Sequence, residues 1–179
     1  MLNNMFKVDK TAVQSFRSNK QLLEDLHKYA VTEKISLNAL INQIFEYYLS
    51  WYAVATKADM VPHSKILLTK IFEKLKTSQI IEIAEYMAEQ EIKSIILILR
   101  KEFTPESFLS VIESWAKVSN FPTSHTIKSD SSHQYILHHN MNKKWSLYYE
   151  RVFGKIFEQL KIKYSIQTTK NALMINLLF

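Results

Sequence analysis

A single glycine, Gly154, stands in a chain of 179 residues that also lacks cysteine. Glycine lets backbone amides close on a phosphate, so its scarcity excludes Gly-rich phosphate loops and with them P-loop and dinucleotide-binding chemistry. Without thiols there are no disulfides and no thiolate zinc sites. The fold must rest on packing, in a balance that fits a reducing cytosol. With 47% hydrophobic and 22% charged residues, the chain can build one large core or two small ones. No run of about eighteen apolar residues occurs, and "MLNNMFKVDK" is polar where a signal peptide carries its apolar stretch. A cytoplasmic protein without membrane association is expected.

Caps and periodicity divide the first third of the chain. Residues 11–18, "TAVQSFRS", are short, β-compatible and without helical period, which predicts a strand. Asn19 is an N-cap for "KQLLEDLHKYAVTEK", whose Leu22, Leu23, Leu26 and Ala30 form one apolar stripe. Ser36 caps a second helix, in which Leu37, Leu40, Ile41, Ile44, Phe45, Tyr48 and Leu49 recur at three and four residues. That helix is predicted to run through Trp51 and Tyr52 toward Lys57. "TKADMVPHSK", polar and interrupted by Pro62, is the boundary, giving domains over 1–57 and 62–179.

A strand and two helices within fewer than about fifty residues cannot bury their apolar faces alone, so a partner is required. In this order "FRSNKQLLEDLHKYA" and "ISLNALINQIFEYYL" resemble the ribbon-helix-helix (Arc/MetJ-type) family of DNA-binding proteins. The resemblance covers about residues 8 to 52. It implies an intertwined homodimer in which one strand from each chain pairs antiparallel and the ribbon enters the major groove. With Phe16 facing the dimer core, Val13, Ser15 and Arg17 face the bases. Arg17 is the main candidate, because a guanidinium bonds guanine O6 and N7 together. Ser36, Leu37 and Asn38 match the family's phosphate-holding helix start, with Lys10, Lys20 and Lys34 as further phosphate contacts. The family carries a glycine where this chain has Lys34. A register shifted by one residue would instead turn Gln14 and Phe16 outward.

Beyond the boundary, "SKILLTKIFEKL" and "TSQIIEIAEYMAEQ" have helical periodicity, whereas "IKSIILIL", rich in isoleucine, is read as a buried strand in preference to a continued helix. Thr104 and Pro105 open a helix over "PESFLSVIESWAKV". "SHTIKS" and "HQYILHH" flank the turn "DSS", the helix "NKKWSLYYERVFGKIFEQL" follows, and "KIKYSIQTT" with "ALMINLLF" closes the chain as a hairpin. The expected class is α+β, with a split βαβ, ferredoxin-like arrangement of β-α-β-β-α-β in the C-terminal part.

The net charge of +6 is uneven. Seven basic residues face five acidic ones over 1–57, eight face nine over 58–120, and eight face three over 121–179. A polyanionic partner suits this balance. His125, His133, His138 and His139 are close in sequence, but no carboxylate at ligand spacing accompanies them, so packing or surface roles are expected and no metal or other cofactor. On the last helix Trp145, Tyr148, Tyr149, Phe153 and Phe157 read as core, with an effector pocket formed by Trp145, Tyr149 and Arg151, beside Lys143 and Lys144, as the alternative for a small acidic ligand. The lone Gly154 marks close packing against the sheet. No nucleophile elbow, H-E-x-x-H or paired carboxylates appear, so no enzymatic activity is expected. The reading is a prokaryotic-type transcriptional regulator that binds operator DNA as a homodimer, with assembly of dimers along DNA left open. The alternative is a dimeric interaction protein, an antitoxin or partition accessory, whose N-terminal unit mainly dimerises.

Overall fold

The computed structural model describes residues 11–129 and 132–179. The chain divides into two compact units, Met1–Phe45 and Glu46–Phe179, with the division inside the second helix.

In the first unit, residues 11–19 have no regular secondary structure. A lone strand has no ladder partner for its amides and carbonyls, and the strand expected over residues 11–18 is absent from the single chain. Helix α1 spans Lys20–Thr32, and the Asn19 side chain accepts the Leu22 amide at 3.2 Å. It ends where the Ile35 amide donates to Ala30 and the Lys34 amide to Val31, a closure that puts Lys34 in the left-handed region at φ 56°. Helix α2 spans Leu37–Tyr47, with the Ser36 hydroxyl accepting the Ala39 amide at 3.0 Å. It continues as a π-helical turn over Tyr48–Tyr52 and as α3, Ala53–Ala55, close to the extension expected toward Lys57.

The second unit continues with α4 (Lys65–Lys74, capped by Ser64), α5 (Thr77–Tyr86), a π-helical turn over Met87–Glu91, α6 (Ile92–Arg100) and α7 (Pro105–Val118, capped by Thr104). There follow the hairpin of β1 (Thr123–Ser129) and β2 (Ser132–His138), α8 (Lys143–Gln159), and a second hairpin of β3 (Lys163–Thr168) and β4 (Ala172–Leu178). The sheet is antiparallel throughout, in the order β1-β2-β4-β3.

The α+β class is therefore present, but the ferredoxin-like arrangement is not. "IKSIILIL" forms the helix α6 in place of the expected strand. Ile96 and Leu99 are buried on it, with Ile92 and Ile95 partly buried, while Leu97 and Ile98 remain exposed. The core-facing stripe has helical spacing, and the outward Leu97 and Ile98 conceal it in the sequence. Without that strand there is no first βαβ unit, and the sheet is built from two hairpins joined by α8.

Alternation along the central strands sets the layers. His133, Tyr135 and Leu137 of β2 pair in register with Leu177, Ile175 and Leu173 of β4 on the helix-covered face. Val152, Phe153, Ile156 and Phe157 of α8 pack there, and Phe108 of α7 meets Phe153 and Phe157 edge to face. Gly154 lies against the Tyr164 ring of β3, the close approach expected of it. The opposite face carries a polar row, with Gln134 donating to Asn176 at 2.8 Å and Asn176 to Ser165 at 3.2 Å.

Candidate nucleic-acid interface

Val13, Ser15 and Arg17 all lie in the exposed segment before α1, with Val13 fully open to solvent. Arg17 forms no ion pair among the described residues. Phe16, the residue assigned to a dimer core, is 61% exposed in the single chain. Lys20 opens α1 with its ammonium 3.9 Å from Glu24, both ends largely in water. Lys10 lies outside the described residues.

Ser36, Leu37 and Asn38 are brought together at the start of α2. The Ser36 cap satisfies the Ala39 amide, while the amides of Leu37 and Asn38, in the first turn, have no acceptor within the helix. Together with the positive end of the helix dipole, these donors suit a phosphate oxygen. Lys34 stands two residues earlier, exposed at its left-handed turn.

Of the residues suggested for an effector pocket, Trp145 and Tyr149 pack together in the core, while Arg151 lies at the surface. Trp145 is buried, and Tyr149 packs on it and on Trp115 in the core. Burial holds the Tyr149 phenol well above its ordinary range. Arg151 is exposed on α8. Lys144 donates to the carbonyls of Glu73 and Leu75 at the end of α4, where a cation favours the dipole.

A cleft of about 480 Å³ opens instead between α7 and the β1-β2 hairpin. Glu113, His125 and Tyr135 line it over an apolar floor that includes Ile112, Leu137 and Ile175. Tyr135 stacks on His125 with ring centroids 4.0 Å apart, and His125 Nε2 lies 2.9 Å from His133 Nδ1. Burial raises the Glu113 carboxyl above its usual range and pushes the Tyr135 phenol up to about 12, with Glu113 adding to the latter. It also lowers His125, helped by the nearby His133. Sequence reading missed Glu113 and Tyr135, which meet only through tertiary packing. The placement of His125 and His133 around the turn was the available signal, since hairpin pairing puts His125 opposite Tyr135 and Ile127 opposite His133.

Two further histidines have opposite surroundings. His138 is exposed at the end of β2, while His139 is fully buried just after it. Among the described residues no three His, Asp or Glu side chains gather as a metal-binding group, and no helix is long and apolar enough to cross a membrane. The chain matches no protein-family model and no curated protein.

Proposed function

We propose that the protein is a sequence-specific DNA-binding transcriptional regulator of prokaryotic type, acting in the cytoplasm as a homodimer. Residues 11–18 of two copies pair into an antiparallel ribbon that enters the major groove. Arg17 reads guanine, Ser15 and Val13 complete the base contacts, and the start of α2 with Lys20 and Lys34 holds the phosphates.

The observation that carries this reading is the apolar surface of two separately capped helices. In residues 11–45, Ala30 and Leu40 are the buried hydrophobic side chains, while Phe16, Leu22, Tyr29, Val31, Ile44 and Phe45 are exposed. So much apolar surface on two short helices calls for cover, and an intertwined second copy supplies it while giving residues 11–18 their missing ladder. The basic residues on the segment and at the start of α2 suit a polyanion.

The test uses the full chain and an operator selected from random duplexes. Arg17→Ala is expected to weaken binding to the selected site by about 1–3 kcal/mol while leaving binding to random DNA nearly unchanged. Equal loss on both would remove Arg17 from base reading, and a chain that sediments as a monomer and selects no duplex would sink the whole proposal.

A further inference from the structure

We infer that the cleft between α7 and the β1-β2 hairpin binds a small organic cation, an ammonium or amidinium group on an apolar body. Its volume of about 480 Å³ lies in the range of small-molecule sites, roughly 300–1,000 Å³, and its floor of Ile112, Leu137 and Ile175 suits an apolar body. This inference is independent of the DNA-binding proposal.

The charge preference follows from Glu113. It is the acidic residue lining the cleft, it is half-buried, and it makes no ion pair or side-chain hydrogen bond among the described residues. The nearest basic group along the helix, Lys117, also lines the cleft but directs its ammonium to Glu46 at 3.1 Å. A carboxylate partly withdrawn from water and left without a partner is costly, and a ligand cation would relieve that cost. The stacked Tyr135 and His125 rings add an aromatic wall, whose π-faces attract cations. Burial and the neighbouring His133 keep the His125 imidazole below its ordinary pKa, so near neutral pH the wall brings no competing positive charge. An anionic ligand would face Glu113 with Lys117 already engaged.

Three probes with one body and different charge test this: tryptamine, 3-methylindole and indole-3-propionate, titrated into the full chain by calorimetry and by amide resonance shifts. Tryptamine is expected to shift the resonances of Glu113 and Tyr135 and to bind at least about tenfold more tightly than 3-methylindole. Glu113→Gln, close in shape to the original, should erase that ratio and leave 3-methylindole binding unchanged. The inference is overturned if indole-3-propionate binds as well as tryptamine, if no probe shifts the cleft resonances, or if tryptamine keeps its advantage in the folded Gln variant. Should that variant fail to fold, the three-probe ranking in the original chain decides the matter by the same criteria.

Discussion

His139 Nε2 lies 2.8 Å from the Ser146 hydroxyl, while His139 Nδ1 accepts the Met141 amide at 3.1 Å. An acceptor at Nδ1 carries no proton in the neutral ring, so Nε2 donates to Ser146, which in turn donates to the Thr169 carbonyl at 2.7 Å. The serine thus receives a proton donor, not a base, and the pair fastens the start of α8 to the β3-β4 turn without activating a nucleophile.

Stability should fall in mild acid because of this residue. Burial, with smaller effects from His138 and Lys65, holds the folded imidazole at about 4, against an ordinary value of 6.5. A folded pKa below the unfolded one gives a contribution that is complete above about pH 6.5 and is lost as pH falls toward about 4. At 1.36 kcal/mol per unit its upper bound is about 3 kcal/mol. Urea unfolding at about pH 7, 5.5 and 4.5 should show a steeper decline for the original chain than for His139→Gln, and parallel curves would refute the assignment.

Arg100 should resist even a charge-conserving replacement. Its Nε donates to the Ser110 hydroxyl at 3.0 Å, and its Nη2 to the Ser114 hydroxyl at 2.7 Å and the Ser110 carbonyl at 3.2 Å, tying α6 to α7. Lysine retains the charge but not the planar fork. Arg100→Lys is expected to cost about 1–3 kcal/mol in denaturant titration, whereas a loss below about 0.5 kcal/mol would make the fork dispensable.

Lys34→Gly should separate stability from DNA binding. Removing a side chain from a left-handed position should raise stability by about 0.5–1 kcal/mol. On the proposed phosphate contact, the same change should reduce the salt slope of binding by about one counterion, similarly for all DNA sequences. A thermal midpoint that does not rise would contradict the backbone argument, and an unchanged slope would remove Lys34 from the interface.

Gly154 and Tyr164 should be energetically coupled. A Cβ at Gly154 would stand 2.9 Å from the Tyr164 hydroxyl, which donates to Glu158 at 3.0 Å. Gly154→Ala alone is expected to be neutral or destabilising, because the helical gain is offset by displacement of the phenol. In a Tyr164→Phe background the same change should stabilise by about 0.5–1 kcal/mol, and a double-mutant cycle with no coupling would show that the phenol yields freely.

Much of the local structure was legible in the sequence because caps act locally. Asn19, Ser36, Ser64 and Thr104 each accept an amide three residues on, and β1 pairs with β2 and β3 with β4 as the two expected antiparallel pairs. What failed depended on surroundings. The outward Leu97 and Ile98 made α6 look like a buried strand, and residues 11–18 find no ladder partner among the described residues. For the candidate sites, the start of α2 followed from Ser36 alone. The cleft did not, because Glu113 and Tyr135 come from elements whose meeting no local pattern encodes.

With a single glycine to spend, the molecule turns its corners at Lys34, Asp59, Lys101, Asn120, Asn140 and Lys161, all at positive φ. Each such corner carries local strain in the native state. The same side chains narrow the range of backbone shapes open to the denatured ensemble, so less conformational entropy is surrendered on collapse. Part of the strain is thereby cancelled before any contact forms, and replacing all six by glycine would gain less than the sum of the relieved angles suggests.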